Sequence, residues 1–303
     1  RRAWPGGIPN VRIAHLSDVH ILDARPGRRE ARYRFAAKLV TIGQRAIDPR
    51  DRTRRLARAL ETVKANGADH LVISGDLTEL GEIAEFEQFA ELLHDAKLPE
   101  DSVTLVPGNH DAYTAGDAWT KAMRGPLARF ASASAAMAGK IVDRGTVAFL
   151  PIDTTRFQTI AWSGGVFTKE TALAVERRLA DPAFRDRAIV LVVHHPPFHP
   201  VRALNWIDGL RGGAIVLDLL ARHPRLQLLH GHLHRIFNHI VATSSAVGAA
   251  VGLVPHAAGS AESPPRLFGA PATCDATTET PNIRLYDVRD GALHAVELPV
   301  RAA

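Results

Sequence analysis

A single cysteine, Cys274, stands in a chain of 303 residues. One thiol closes no internal disulfide and builds no cysteine cage for zinc, so a disulfide framework is excluded and a reducing, cytoplasmic setting is expected. Cys274 has no histidine close by in sequence and reads as an incidental thiol rather than a nucleophile. Nor is there a run of the roughly 18 apolar residues that a membrane-spanning helix needs, so membrane contact, if made, is peripheral to the inner face. Aromatic residues are only 6% of the chain, and 37 Lys+Arg against 32 Asp+Glu leave a formal charge of +5. A dedicated nucleic-acid binder carries interleaved aromatics and a stronger basic excess, so none is expected. The mild excess suits an anionic small substrate. The chain opens Arg1-Arg2-Ala3 without Met, which reads as a trimmed start and leaves a targeting signal open. With 46% hydrophobic and 23% charged residues the composition is that of a folded globular chain, which excludes disorder over most of its length.

What is present is an alternation of strands and helices. Apolar runs at Val11–Leu16, His70–Ser74, Val103–Val106, Ala188–Val193 and Leu226–Leu229 read as buried strands. Between them, helical spacing predicts helices before and after Pro49, a helix over about 82–96 with Ile83, Phe86, Phe89, Ala90 and Leu93 on one face, and helices near 119–138, 168–180 and 214–222. Arg144-Gly145 predicts a hairpin turn. Short strands are expected near 235–241, 266–270, 283–288 and 292–298, the last two joined by Arg289-Asp290-Gly291. The pattern is that of an α/β core with an added β portion. No repeat of fixed period and no Pro/Ser-rich linker divides the chain, so one domain over 1–303 is expected.

Each of the five buried strands runs into polar residues able to bind metal: Asp18-Val19-His20, Gly75-Asp76, Gly108-Asn109-His110-Asp111, His194-His195-Pro196 and Gly231-His232-Leu233-His234. In α/β sheets functional groups gather at the carboxyl ends of strands. One such ending is an ordinary helix cap or turn, as Gly75-Asp76 alone would be; five in one chain are hard to explain that way. Carboxylate, amide oxygen and imidazole together suit borderline divalent ions such as Mn, Fe or Zn. Asp18, His20, Asp76, Asn109, His194, His232 and His234 are too many ligands for one tetrahedral ion and fit two that share a carboxylate.

The set Asp-x-His, Gly-Asp, Gly-Asn-His-Asp, His-x-Pro and Gly-His-x-His, in this order from Asp18 to His234, resembles the calcineurin-like metallophosphoesterase superfamily. The resemblance implies a four-layer αββα sandwich, with two mixed sheets face to face, helices outside, and two metal ions at one edge. It implies Asp18, His20 and His234 on the first ion, Asp76 bridging, and Asn109, His194 and His232 on the second. His194 is preferred to His195 because the family's ligand stands two residues before the proline. It also implies that His110 contacts the phosphate and protonates the leaving oxygen, with Asp111 orienting its ring, while hydroxide between the ions attacks. The chain departs from the family in its long Asp18–Asp76 spacing and in Asp111, where many members have Glu. The reaction expected is hydrolysis of a phosphodiester or pyrophosphate, in a nucleotide, a glycerophosphodiester or a lipid-linked pyrophosphate; alternatives are a phosphomonoesterase, a nucleotide-linked lipid pyrophosphatase and a non-catalytic scaffold. The scaffold predicts missing motif residues, and none is missing.

Around these motifs lie a basic helical insertion at about 25–64 and an apolar insertion at about 244–259. The first reads as a solvated basic face or a lid over the pocket mouth, the second as a buried helix or packed loop, and a membrane-facing or acyl-binding role is the lesser reading of both. His199, Arg202 and Arg211 are candidate substrate contacts. His195 and His230 read as supports beside ligands, and Trp206 as a cover for the core, stacking on a nucleobase being its lesser reading.

Overall fold

In a computed structural model of the chain, residues 11–24, 48–159, 161–242, 252–255, 264, 266–277 and 281–298 are described. The first half builds a five-stranded sheet from β1 (Arg12–Leu16), β2 (His70–Ser74) and β3 (Val103–Val106), which are parallel, and the terminal hairpin of β13 (Arg284–Arg289) and β14 (Ala292–Val296), in the order β14-β13-β1-β2-β3. A seven-stranded sheet is ordered β11-β10-β12-β9-β7-β5-β4, from β4 (Val142–Asp143), β5 (Val147–Pro151), β7 (Ala188–Val192), β9 (Leu226–His230), β10 (Phe237–Ala242), β11 (Gly252–Pro255) and β12 (Leu267–Gly269). Its strands β5, β7, β9 and β12 are parallel, with antiparallel strands at the edges. A third, two-stranded ribbon of β6 (Gly165–Val166) and β8 (Leu210–Arg211) has no signal in the sequence, being two residues per strand.

The two-residue period of a strand explains how the large sheet fills two cores. Val147, Phe149, Val190, Val192, Leu229 and Phe268 join the cluster formed by the five-stranded sheet, whereas Ala148, Leu150, Ile189, Leu191, Leu228 and Leu267 face the opposite way. The outer faces are covered by helices. α1 (Pro49–Ala65), α2 (Ile83–Asp95) and α3 (Ala118–Arg124) pack on the first cluster; α4 (Lys169–Leu179) and α6 (Gly213–Arg222) pack on the second; α5 (Asn205–Asp208) is a single turn. The expected sandwich of two mixed sheets flanked by helices is therefore what forms.

α1 starts where Asp48 accepts a hydrogen bond from Arg50 N (2.9 Å) and Pro49 supplies a fixed φ at the first helical position. Three local expectations need correction. The helix near 119–138 breaks after Arg124, because Pro126 disfavours helical backbone at Gly125; the chain resumes as a 3-10 turn at Ala128–Ala133. Ile83, expected on the core face of α2, is exposed, since it opens the helix before its buried stripe begins at Glu85 and Phe86. Within the apolar insertion, Gly252–Pro255 is an edge strand on β10, not a helix; its flanks, and the helix expected before Pro49, lie outside the described residues.

His70 at the start of β2 shows how the sheets set a titration. Its ring stacks on Phe149 at 4.5 Å, its Nε2 meets Thr104 Oγ1 at 2.9 Å, and its Nδ1 accepts from Arg144 Nε at 3.3 Å. Burial, reinforced by the Arg144 charge, pushes the imidazole down to about 3. The folded value lies below the unfolded one, near 6.5, so this contribution to stability is whole above pH ~6.5 and is lost as pH falls toward ~3. His70→Gln should therefore remove about 2 kcal/mol of the stability lost between pH 7 and pH 5. Urea midpoints of both proteins at the two pH values measure it, and equal losses would refute it.

Candidate metal centre

Five parallel strands deliver the motif residues. β1 ends into Asp18 and His20, β2 into Asp76, β3 into Asn109 and His110, β7 into His194, and β9 into His232 and His234. The chain turns sharply at these ends. Asp18, His20, Asp76, His232 and His234 all have φ between 50° and 71°; among the other described non-glycine residues only Lys97 and Asp290 have positive φ. A left-handed non-glycine residue costs roughly 1–3 kcal/mol and persists only where its surroundings force it. Here the forcing is visible: Asp18 N donates to Gly75 O (3.0 Å) and His20 N to Asp76 O (2.9 Å), so the first two strand ends lock each other. The motif glycines are set by close approach. A Cβ at Gly108 would collide with the Asp76 carboxylate, and one at Gly231 with the Ser17 hydroxyl.

The ring partners of the histidines follow one pattern. His20 turns Nδ1 to Glu79 Oε2 (3.2 Å) and Nε2 toward Asp76 Oδ2 (3.7 Å). His194 has Nδ1 on Ser74 O (2.7 Å), with Nε2 facing Asn109 Oδ1 (3.1 Å) and Asp76 Oδ2 (3.3 Å). His234 has Nδ1 on Asp275 Oδ2 (2.8 Å) and Nε2 facing Asp18 Oδ1 (3.2 Å). His232 has Nε2 on Asp208 Oδ1 (2.8 Å), and its backbone N–H donates to Asp18 Oδ2 (3.0 Å). An oxygen outside each ring fixes its tautomer, and three of the rings turn the other nitrogen to the same pair of aspartates. That is how proteins orient imidazoles toward a metal.

Donor atoms of Asp18, His20 and His234, and of Asp18, Asp76 and His194, gather within 4.8 Å of one another. These residues fit divalent cations. Asp18, His20, Asp76, Asn109 and His194 are all buried, and His194 Nε2 confronts two oxygens, which need a positive charge between them and the ring. Without metal a proton serves: burial pulls His194 down, but Asp76, with Asp18 and the Ser74 carbonyl, outweighs it and lifts the imidazole to about 9. Burial pushes the Asp76 carboxyl up, yet His194, His110 and His20 hold it well below the carboxylate range.

His110 stands beside this cluster, its ring 4.5 Å from His20 and its backbone N–H donating to Asp76 Oδ1 (2.8 Å). Its Nδ1 lies on Glu79 O (2.7 Å), with Glu79 Oε1 at 3.8 Å. Asp111 does not orient it, contrary to expectation. Its carboxylate accepts from Leu77 N, Thr78 N, Thr78 Oγ1 and Gly108 N at 2.7–3.1 Å, binding the Asp76 turn to the Gly108 turn. The residue facing the ring is Glu79, which the sequence reading missed, though it stands three positions after Asp76. Asp208 and Asp275, the partners of His232 and His234, were also missed and carry no local signal. His199 Nε2 is taken by Asp208 Oδ2 (3.1 Å), placing it behind His232. Arg211 is exposed on β8, and nothing among the described residues links it to the cluster; the Arg202 side chain lies outside them. Trp206 covers no core: it is 68% exposed. Cys274 and its neighbour Asp275 are folded against His234, which is remote from them in sequence.

His195, one residue from His194, has both nitrogens engaged by protein, Nδ1 by Thr154 Oγ1 (2.8 Å) and Nε2 by Ser163 O (2.9 Å). Its donor atom also falls within reach of His194 and His232, but those two partners leave it no lone pair to offer. His194→Ala should therefore lose metal outright, and His195→Ala should weaken metal affinity or activity only by roughly 10–100-fold. Metal content after gel filtration separates the two, and the reverse ranking would exchange their roles.

Paired mixed sheets whose strand ends converge on histidines and aspartates define the fold of binuclear metallophosphatases. A dimetal phosphatase from Danio rerio superposes with a TM-score of 0.61, covering 92% of this chain and 93% of that one at 13% identity. A purple acid phosphatase from yellow lupin gives 0.54 over 96% of this chain and 52% of its own, at 11% identity. The profile of the calcineurin-like phosphoesterase family matches residues 11–235, and the chain belongs to that family, whose members are metal-dependent hydrolases of phosphoester bonds. A probable cyclic nucleotide phosphodiesterase of Pseudoalteromonas is 26% identical over 74% of this chain and 71% of its own length; one of Synechococcus is 25% identical over 77% of each. No helix among the described residues is long and apolar enough to cross a membrane.

Proposed function

We propose that the protein is a phosphodiesterase using two divalent ions, drawn from Mn, Fe or Zn, with cyclic nucleotides as its substrate class. The observation that carries the metal assignment is the shared orientation of the histidines, ring after ring braced from outside with an inner nitrogen turned to Asp18 or Asp76. Asp18, His20 and His234 hold one ion, Asn109, His194 and His232 the other, and Asp76 both. When bound, the pair supplies Lewis-acid stabilisation of the phosphoryl oxygens and activation of the attacking water. The chain's own residues do the rest. Asp18 and Asp76 set the charge of the centre, and the outer oxygens of Glu79, Ser74, Asp275 and Asp208 keep the rings from rotating. His110, with Nδ1 fixed on Glu79 O and its Nε2 edge available, binds the phosphate and gives a proton to the departing oxygen.

The diester is favoured over a monoester because the curated relatives similar to this chain carry the name cyclic nucleotide phosphodiesterase. A panel run with Mn tests this: 3′,5′-cyclic AMP, glycerophosphoethanolamine, a nucleotide-diphosphate lipid and p-nitrophenyl phosphate. The highest kcat/KM is expected on the cyclic nucleotide. A monoester preference would reverse the diester reading, and a preference for the lipid would assign the site to a pyrophosphate.

A further inference from the structure

Two aromatic side chains head the exposed aromatics of the described chain, Trp206 (68%) and Phe157 (63%). Trp206 meets the half-buried Trp162 edge to face, with ring centroids 5.0 Å apart at 72°. Neither indole is held by chance. Trp162 precedes Ser163, whose carbonyl accepts from His195 Nε2 (2.9 Å), whose backbone N–H donates to Ile207 O (3.3 Å), and whose hydroxyl bonds Asp208 Oδ1. Trp206 stands two residues before that same Asp208, the partner of His232 at 2.8 Å. Both indoles thus ride on segments clamped to the support of one metal-facing histidine. Two residues reach at most roughly 7 Å, so the Trp206 backbone stays that close to Asp208, the residue bonded to His232. Phe157 lies over Gly116, where a Cβ would come 3.3 Å from its own.

Exposed apolar surface gathered beside a polar site marks a binding surface rather than leftover core. We infer that Trp206, backed by Trp162, is the stacking platform for the nucleobase of the substrate. This rests on the nucleotide reading above and adds where the base goes. An indole face offers stacking and few polar atoms, so the platform is tolerant: adenine and guanine should bind alike, and pyrimidines more weakly. A glycerophosphodiester has no ring to place there.

The test compares ligands that differ only in the base. Mn-loaded wild type should bind 5′-AMP roughly 10–100-fold more tightly than ribose 5-phosphate, as one stacked base warrants. In Trp206→Ala most of that ratio should vanish, while Trp206→Phe should keep most of it; calorimetry gives the constants. The kcat/KM ratio for 3′,5′-cyclic AMP over glycerophosphoethanolamine should fall in parallel, through KM. Wild-type-like binding of 5′-AMP by Trp206→Ala would overturn the platform, and so would a wild type that binds 5′-AMP no better than ribose 5-phosphate. A wild-type dimer that Trp206→Ala converts to monomer, with the ligand ratio intact, would give the face to a second copy of the chain instead. If wild type hydrolyses cyclic AMP and Trp206→Ala does so with the same KM, the platform fails and the cyclic-nucleotide function stands. If wild type hydrolyses no cyclic nucleotide yet loses 5′-AMP affinity on Trp206→Ala, the function fails and the platform stands.

Discussion

Asp76→Asn is expected to release metal and abolish activity together. Asp76 is the carboxylate that faces histidines from both sheets: Oδ2 lies 3.7 Å from His20 Nε2 at the end of β1 and 3.3 Å from His194 Nε2 at the end of β7. Its other oxygen accepts the His110 N–H at 2.8 Å, tying the third strand end to the same group. An amide keeps the shape and can still accept that hydrogen bond, but it removes the negative charge that two cations would share. Asp18 differs in reach. Its Oδ1 faces His234 at 3.2 Å, and its Oδ2 is partly occupied by the His232 N–H at 3.0 Å. Supporting residues around a metal cost roughly 10–100-fold when lost, so loss of a shared ligand should cost on the order of 10³-fold or more. Elemental analysis of purified protein should find less than one ion per chain in Asp76→Asn and about one in Asp18→Asn, with far-UV circular dichroism unchanged in both. Two ions per chain retained by Asp76→Asn would end the bridging assignment.

The strand ends were legible because each element wrote its own signature. An apolar run of four to six residues followed within three positions by Asp, Asn or His can be read without knowing what lies across the sheet. The supports of the histidines could not be read this way. Asp208 belongs to a one-turn helix and Asp275 to a 3-10 turn 41 residues beyond His234, and only the fold carries them to their rings. The Asp111 expectation failed for a local reason. Adjacency to His110 suggests pairing, but His110–Ala112 is a 3-10 turn, in which successive side chains diverge by roughly 120°. His110 therefore looks into the centre while Asp111 looks back into the backbone. Trp206 was misplaced because apolar character alone does not say whether a residue covers a core or stands in solvent.

His110→Ala should leave metal content and fold intact and still slow the reaction. None of the seven proposed ligands is removed, and the ring is held from Glu79 O rather than by a ligand side chain. Glu79 itself is anionic: burial pushes its carboxyl up, but His20 and then His110 outweigh that and bring it down to about 2. Its Oε1 lies 3.8 Å from His110 Nδ1. General-acid catalysis of this kind contributes roughly 10²–10⁴-fold, and that is the fall expected. Its size should depend on what leaves. The ribose 3′-oxygen of a cyclic nucleotide departs as an alkoxide far too basic to leave unprotonated, so the variant should show the full loss on cyclic AMP. A p-nitrophenolate spreads its charge into the ring and departs without a proton, so bis-p-nitrophenyl phosphate should be turned over with a much smaller deficit. Rates on both substrates, measured on protein whose metal content matches wild type, make the comparison. Equal deficits would mean that His110 holds the phosphate and transfers no proton, and loss of metal would make it a ligand. A large deficit confined to the alkoxide places the proton on His110, one strand end away from the carboxylate that holds the metals.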